Sequence, residues 1–247
     1  MKNVNEIKKE FNRIKQMGFV ECTRSNNKDG GIGNTFEDLL GVKENNKKEA
    51  DYKGFEVKSK RLFNSSYVSL FTKSPDTPKG ANSYLRETFG EIRDDQHSDK
   101  KKLYASVFGH RFSVVYLKYK MKLKVDRKNR RLLLIINDLD NKLLSTVYWS
   151  FETLQKASRK MKDLFLVLAE ERIHNKKQYY HFTKGEVYKG FDFEKFLNEI
   201  EKGGIMFDIR IGVYNSGKNY GKTHDHGSGF RVKAANFSNL YSTFEKL

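Results

Sequence analysis

The stretch Glu49-Ala-Asp-Tyr-Lys-Gly-Phe-Glu-Val-Lys-Ser-Lys60 is the most informative part of this 247-residue chain. Its second half predicts a β-strand, and side chains two apart on a strand project from the same face, so Glu56 and Lys58 share a face. A tight turn at Lys53-Gly54 would return the preceding strand and bring Asp51 beside them. Two carboxylates and an ammonium group are therefore expected to converge at one place.

The side chains at this place suit a divalent cation and a phosphate. Carboxylate oxygens of Asp51 and Glu56 are the hard ligands that suit Mg²⁺, which keeps several waters and accepts phosphate as a further ligand. Lys58 beside the metal can hold or deprotonate a water that attacks phosphorus. A further acid, Glu37, lies on a short helix predicted for residues 35–40. The spacing alone also occurs by chance in so charged a chain, so by itself a non-catalytic cluster is the commoner explanation.

The charge balance indicates a polyanionic partner. Lys and Arg number 48 against 31 Asp and Glu, which gives a net charge of +17 and an isoelectric point near 9.7. Such a charge favours nucleic acid, although a lysine-rich proteome produces the same excess. The 13% of aromatic residues argue against a disordered basic tail.

Cysteine content and hydropathy exclude several protein classes. The single cysteine, Cys22, rules out a disulfide framework and a cysteine-based zinc site. No apolar run approaches the roughly 20 residues of a membrane span, and the first residues lack an apolar signal segment. The sequence therefore predicts a cytoplasmic protein with no membrane partner.

Periodicity predicts an alternation of helices and strands. From Val115 to Val125 apolar residues alternate with Lys118, Lys120, Lys122 and Lys124, which predicts one strand with a row of lysines on one face. That row can line DNA, but a solvated outer face is the commoner use. The main elements predicted elsewhere are a helix over 5–17, further strands within 103–149, helices over 151–169 and 192–202, and a strand over 206–214.

The motifs resemble a known nuclease family. Gly33-Asn-Thr-Phe-Glu-Asp-Leu-Leu-Gly41, then Asp51, then Gly54-Phe-Glu-Val-Lys-Ser59 resemble the core of the PD-(D/E)xK nucleases. Within that superfamily the chain is most similar to the branch that holds the mismatch-repair nickase MutH and the MvaI/BcnI restriction endonucleases. The stretch 229–240 is similar to the end of MutH, and 224–227 fits the MvaI type. Ala50 replaces the motif's proline, which is variable in such enzymes.

The resemblance implies roles for the motif residues and an architecture. Asp51, Glu56 and Lys58 would form the Mg²⁺ and water site, and Glu37 would help to order Lys58 or a second metal. The fold would be α/β, with a restriction-endonuclease-like mixed sheet flanked by helices. The nuclease lobe would lie mainly in residues 1–150 and a C-terminal DNA-recognition lobe mainly in 151–247, forming a DNA-binding cleft.

The predicted strand over 206–214 carries the candidate base-reading residues. Arginine reaches guanine O6 and N7 together, and aspartate accepts from a cytosine amine. A plain surface ion pair between Asp208 and Arg210 is the alternative, as is a metal pair formed by His224 and His226, which lacks a third ligand. With the resemblance, base recognition is favoured. The full candidate set is Asp208, Arg210, Tyr214, His224, Asp225, His226, Arg231 and Lys233.

The resemblance implies a function. It points to a type II restriction endonuclease that uses Mg²⁺ to hydrolyse phosphodiester bonds of double-stranded DNA at a short GC-rich site, CC(A/T)GG-like. Such an enzyme acts as a monomer, strand by strand, alongside a cognate DNA methyltransferase. The alternatives are a MutH-like nickase of mismatch repair and a non-catalytic DNA-binding module, which leaves the convergence of Asp51, Glu56 and Lys58 unexplained.

Overall fold

The computed structural model describes residues 2–24, 30–42, 50–62, 67–92 and 99–247. The chain forms two compact units, each assembled from segments that are distant in sequence. Unit 1 comprises Met1–Val68, Arg159–Asp192 and Phe237–Leu247, and unit 2 comprises Ser69–Ser158 and Phe193–Asn236. The α/β class predicted from the sequence is confirmed.

Helices and strands alternate along the chain. In chain order they are α1 (Lys2–Gln16), β1 (Val20–Glu21), α2 (Gly31–Leu39), β2 (Glu56–Arg61), β3 (Tyr67–Thr72), α3 (Ala81–Phe89), β4 (Glu91–Ile92), β5 (Lys101–Phe108), β6 (Ser113–Val115), β7 (Tyr119–Asp126), β8 (Arg131–Asn137), β9 (Leu143–Ser150), α4 (Phe151–Ser158), β10 (Asp163–His174), β11 (Lys177–Phe191), α5 (Phe193–Lys202), β12 (Ile205–Val213), β13 (Thr223–Asp225), β14 (Gly229–Lys233) and β15 (Tyr241–Lys246). In the described part of the chain, no helix is long and apolar enough to cross a membrane.

Unit 1 is built on a mixed sheet in the order β1-β11-β10-β2, with β15 paired to β11. Strand β2 runs parallel to β10, and β10 runs antiparallel to β11. Apolar side chains from α1, α2 and the sheet form a buried core that includes Ile7, Phe11, Ile14, Phe36, Phe165 and Phe182. Gly185 on β11 allows the close approach of Phe11, because a Cβ at this position would lie 3.2 Å from its ring, a tight contact.

The helix predicted over 151–169 is wrong in its second half. Helix α4 ends at Ser158, a 3₁₀ turn spans Arg159–Met161, and β10 begins at Asp163. Every side chain from Leu164 to Val167 is buried, because β10 is an interior strand of its sheet. A strand buried on both faces has a continuous apolar run, which also satisfies helical spacing.

Unit 2 contains two sheets. The first has the order β3-β14-β12-β5-β4, with β13 paired to β12, and the second is the antiparallel meander β6-β7-β8-β9. Aromatic rings fill the core, with Trp149 against Phe207 and Phe230 at centroid distances of 4.7 and 5.6 Å. The indole nitrogen of Trp149 donates to the carbonyl of Lys73 at 2.9 Å.

The strand predicted from Val115 to Val125 is two strands, β6 and β7, joined by a tight turn. Tyr116 and Leu117 both have a φ of 53°, and Leu117, predicted to face inward, is 82% exposed. In the lysine row, Lys118 forms an ion pair with Glu91 and Lys120 donates to the carbonyl of Leu139. These contacts are typical of a solvated outer face.

The two units do not coincide with the predicted division into lobes at residue 150. Parallel strands need a long connection between them, and here the connection from β2 to β10 contains residues 69–158, most of unit 2. Each unit is therefore assembled from separated segments. The nuclease motif lies in unit 1, and the predicted base-reading residues lie in unit 2.

Candidate functional site

The turn before β2 fixes the position of Asp51. Lys53 and Gly54 both have positive φ, 51° and 86°, and the backbones of Tyr52 and Phe55 exchange hydrogen bonds of 3.0 and 2.8 Å across the turn. This is the two-residue turn expected at Lys53-Gly54, although the first predicted strand is reduced to one bridge and Glu49 lies outside the described residues. Oδ2 of Asp51 accepts a hydrogen bond of 3.0 Å from the amide of Val57, at the start of β2.

Glu56 lies at the centre of a buried charge cluster. Its side chain is only 1% exposed, and its Oε1 lies 2.7 Å from Nζ of Lys58 and 2.7 Å from Nζ of Lys160. The predicted sharing of a face by Glu56 and Lys58 is thus present as a direct ion pair. The second lysine lies in the 3₁₀ turn before β10, 104 residues further along the chain.

Lys160 is a site residue that the sequence analysis missed. It reaches Glu56 because β2 and β10 pair in parallel, with Glu56 opposite Leu164, so the turn before β10 lies beside the start of β2. The available signal was the Asp-Leu-Phe-Leu-Val-Leu run of β10. A helix through that run gives no reason to bring Lys160 near Glu56, whereas a strand that begins at Asp163 puts it in the turn before a strand.

The two carboxyl groups of the motif have pKa values that are shifted in opposite directions. Burial opposes ionisation of Glu56, but the charges of Lys58 and Lys160 outweigh it and hold the pKa of Glu56 below its ordinary value. Desolvation, and after it the negative charge of Glu56, raises the pKa of Asp51. The cluster therefore keeps Glu56 ionised and makes a second negative charge at Asp51 costly unless a cation is present.

The donor set fits a divalent cation. Oε2 of Glu56 is buried and has no hydrogen-bond partner among the described residues, which is the state expected of an oxygen reserved for another ligand. Within the described ranges no group of three or more His, Cys, Asp and Glu side chains converges, so the protein would supply two carboxylates, Asp51 and Glu56. Mg²⁺ suits such a site, since it keeps several of its waters.

Glu37 lies on the last turn of α2 and is half-buried. Helix α2 packs against β2, the strand that carries Glu56 and Lys58. The element that bears the fourth predicted acid is therefore a neighbour of the motif strand. Its role in ordering Lys58 or a second metal stays a prediction.

The predicted base-reading strand is β12, and its two charged residues do not pair with each other. Oδ2 of Asp208 lies 3.0 Å from Nε of Arg231 on β14, with both side chains less than one-fifth exposed. Arg210 is exposed, and its guanidinium group forms no hydrogen bond or ion pair with any residue that the structure describes. The surface pair between Asp208 and Arg210 is therefore not formed.

A group of three rings in contact lies beside Arg210. The ring of Tyr214 lies 4.1 Å from that of His224, which lies 4.4 Å from that of His226. The amide of His226 donates to the carbonyl of Arg210 at 2.9 Å. Burial, then the charges of His224 and Arg210, lower the pKa of His226 and favour its neutral form. Gly212 permits this packing, because a Cβ there would lie 2.9 Å from the ring of His226.

Asp225 differs from its neighbours because both of its carboxylate oxygens accept hydrogen bonds within unit 2. Oδ1 accepts from the amides of Gly227 and Ser228 at 3.0 and 2.6 Å, and Oδ2 accepts from the side chain of Asn82 at 2.8 Å. Lys233, the last member of the predicted set, is exposed at the end of β14. The set thus lies on or next to β12, β13 and β14, but the register separates its members: His224 and Asp225 lie opposite Gly212 and Ile211, whereas Lys233 follows Val232, opposite Ile205 at the other end of β12.

Comparison with known proteins places the chain in a family. The family model described as the MvaI/BcnI restriction endonuclease family matches residues 8–241. A solved structure of the restriction endonuclease MvaI in complex with its cognate DNA substrate is 32% identical with a TM-score of 0.89, covering 100% of this chain and 98% of that one. A structure of MvaI in the absence of DNA is 30% identical with a TM-score of 0.65 and the same coverage. No match is found among curated proteins.

Proposed function

Because the chain belongs to the MvaI/BcnI restriction endonuclease family, and is thus a type II site-specific deoxyribonuclease, we propose that it cleaves double-stranded DNA with Mg²⁺ held by Asp51 and Glu56. At 32% identity it is a relative of MvaI and not MvaI itself. Membership of this family sets aside the non-catalytic module and favours the restriction enzyme over the mismatch-repair nickase. The similarity to MvaI bound to its cognate DNA supports double-stranded DNA as the substrate of this chain.

One observation carries the proposed chemistry: the buried carboxylate of Glu56 pairs through Oε1 with two lysines and leaves Oε2 without a partner among the described residues. A buried carboxylate held ionised in this way is prepared to bind a cation. When bound, Mg²⁺ would supply stabilisation of the negative charge that develops on the phosphoryl oxygens. Asp51, held by the amide of Val57, would be its second protein ligand.

The remaining chemistry falls to the lysines. Nζ of Lys58 would donate to the attacking water and hold it in position, a task for which its place beside Glu56 and its partial exposure of 22% are suited. Nζ of Lys160 would keep Oε1 of Glu56 oriented and ionised when Lys58 turns toward the water. Glu37 is proposed as an additional acid that orders Lys58 or a second metal.

We propose that base recognition falls to the cluster on β12, β13 and β14. The guanidinium of Arg210, unpaired among the described residues, is available for guanine O6 and N7. Asp208 and Arg231 would exchange their mutual contact for contacts with bases, and Tyr214, His224 and His226 would present their group of rings. Lys233 would contact a phosphate. A short site of CC(A/T)GG type, as expected for this family, is proposed as the target.

The rest of the proposal concerns how the enzyme acts. We propose a monomer that cuts the strands one after the other in the cytoplasm, where a cognate DNA methyltransferase protects the host's sites. The net charge of +17 would supply affinity for any duplex, and this affinity should fall steeply with salt. Specificity would come from the reading cluster.

The decisive experiment is the variant Lys58→Ala. With Mg²⁺ and an unmethylated plasmid, the purified wild-type protein should produce double-strand breaks at discrete sites, and sequencing the ends should give the site and the cut position. Lys58→Ala should bind the same DNA and lose cleavage by at least about a hundredfold. Cleavage by the variant at the wild-type rate would show that the proposed site is wrong, and nicking alone by the wild type would favour the MutH-like alternative.

A further inference from the structure

Helix α3 lies against the strand β13, which carries His224, and is bonded to it through three side chains. Nδ2 of Asn82 donates to Oδ2 of Asp225 at 2.8 Å, Oγ of Ser83 to Oγ1 of Thr223 at 3.1 Å, and Nε of Arg86 to the same Thr223 oxygen at 3.1 Å. Residues 82, 83 and 86 lie on one face of a helix, because positions three and four apart are neighbours. A single helix face therefore meets β13.

The contact is anchored on the helix side. Arg86 is 6% exposed, and its Nη1 donates to the carbonyl of Lys101 on β5 at 3.1 Å while its other terminal nitrogen contacts Glu87. Nδ2 of Asn82 also donates to Oγ of Ser74 at 2.8 Å, so both of its hydrogens are used. The helix face is thus fixed by hydrogen bonds within unit 2, and it can in turn hold β13 in position.

Because β13 is a strand, its side chains alternate between the face that meets α3 and the opposite face. Thr223 and Asp225 are two apart and share a face, which meets α3, while His224 projects from the opposite face. There His224 lies between Tyr214 and His226. Its partner on β12 in the strand register is Gly212, which offers no side chain that could hold it.

A chain of hydrogen bonds leads from α3 to the backbone of Arg210. Oδ2 of Asp225 accepts from Asn82, and its Oδ1 accepts from the amide of Ser228 at 2.6 Å. Oγ of Ser228, a residue only 1% exposed, accepts from the amide of Arg210 at 2.8 Å. The side chain of Asn82 is therefore linked through two buried or half-buried partners to the residue whose guanidinium is left available.

We propose that Asn82, together with Ser83 and Arg86, positions the reading cluster for base recognition, with Asp225 as the anchor that receives α3 and not as an acceptor for a base. The inference rests on the proposed function and names helix-borne specificity residues that contact no DNA themselves. Losing the bond between Asn82 and Asp225 should loosen the rings of the cluster and the backbone of Arg210 together. Discrimination between the correct site and a near match should then fall.

The test compares Asn82→Ala with Asn129→Ala. Asn129 also donates from Nδ2 to an aspartate, Asp126, at 2.7 Å, but in the turn between β7 and β8. The substrates are two duplexes, one with the site read from the wild-type digest and one with a single base pair exchanged. Asn82→Ala should lower the ratio of kcat/KM for the two duplexes about tenfold, while Asn129→Ala keeps the wild-type ratio.

A rescue variant separates positioning from general stability. In the exchange Asn82→Asp with Asp225→Asn, the amide of residue 225 can donate to the carboxylate of residue 82, and its oxygen still accepts from Gly227 and Ser228. The exchange should restore most of the discrimination. A loss by Asn82→Ala that is equal for both duplexes, or a ratio within about twofold of the wild type, would overturn the proposal. If Asn82→Ala does not fold, Ser83→Ala takes its place.

Hydrogen exchange without DNA distinguishes this inference from the proposed function. In Asn82→Ala the amides of Ser228 and Arg210 should exchange about tenfold faster than in the wild type, with no change in Asn129→Ala. Unchanged exchange would show that α3 does not hold the cluster, whatever the activity. Absence of cleavage by the wild type, with the exchange result as expected, would overturn the proposed function and leave the contact between α3 and β13 established.

Discussion

The proposed catalytic cluster of unit 1 (Asp51, Glu56, Lys58 and Lys160) and the proposed reading cluster of unit 2 hold their charges in different ways. Glu56 is buried on β2, the last strand in the order of its sheet, and its Oε1 pairs with Lys58 and Lys160. On β12 the exposed Arg210 has no carboxylate partner among the described residues, and only its backbone is fixed. Charge in the first cluster is compensated by neighbouring side chains of the same unit. Charge in the second is left available, which suits a partner that compensates it on binding.

The largest effect on cleavage should follow from removing the charge of Glu56. Glu56→Gln keeps the shape of the side chain but loses the ligand charge, so cleavage with Mg²⁺ should fall by about 10³-fold or more while DNA binding is retained. The matched control is Glu171→Gln, which breaks the ion pair of Glu171 with Arg61 on the same sheet. Rates come from plasmid cleavage and affinities from a filter or mobility assay in Ca²⁺. If the control is equally inactive, the effect belongs to the sheet and not to the site.

The next largest effect, on discrimination between DNA sites, should follow from removing the charge of Arg210. Arg210→Ala should weaken discrimination for one base pair by about 1–3 kcal/mol, that is about five- to 150-fold, while binding of unrelated duplex changes little. Arg111→Ala removes the same charge from an exposed position of unit 2 and serves as the control. Equal losses for the site and for unrelated DNA would mean that Arg210 contacts phosphates only.

The sequence predicted more of the contacts in the cluster of unit 1 than of those in the cluster of unit 2. Glu56, Lys58 and Asp51 are close in sequence, and the rules of strand and turn bring them together without tertiary information. The contact of Lys160 with Glu56 depends on a parallel pairing across 104 residues, which local periodicity does not show. In unit 2 the sequence placed Asp208 and Arg210 on one strand, but the pairing of Asp208 with Arg231 depends on the register of β12 and β14.

One turn and one interior strand, β10, account for the remaining differences between the predicted and the observed elements. A perfect alternation from Val115 to Val125 concealed a reversal at Tyr116 and Leu117, because neither residue is typical of a turn with positive φ. The run that begins at Leu164 satisfied both helical and buried-strand patterns, and only the parallel neighbour β2 decides between them. Local chemistry was therefore predictable, and long-range pairing was not.

A smaller effect should come from the second lysine of unit 1. Lys160→Ala leaves Lys58 paired with Glu56, so cleavage should fall by about tenfold, less than in Lys58→Ala. The control is Lys162→Ala, an exposed lysine two residues later. If Lys160 only packs against the strand, Lys160→Met should restore the wild-type rate; if it keeps Glu56 oriented and ionised, Lys160→Arg should restore more activity than Lys160→Met.

The smallest effect concerns how stability depends on pH. Burial raises the cost of ionising Glu56, but Lys58 and Lys160 outweigh it and lower its pKa, so Glu56 stabilises the fold above the unfolded value of about 4.3 and loses this contribution as the pH falls through the folded pKa. Without divalent cations, the unfolding free energy of Glu56→Gln should lie furthest below the wild type above about pH 5, and the gap should narrow toward about pH 3. Asp51, whose pKa is raised by desolvation and by Glu56, acts with the opposite sign, so Asp51→Asn should gain stability relative to the wild type as the pH rises. Denaturant unfolding across this range measures both; a gap for Glu56→Gln that widens toward low pH would contradict the view that unit 1 compensates its charge internally.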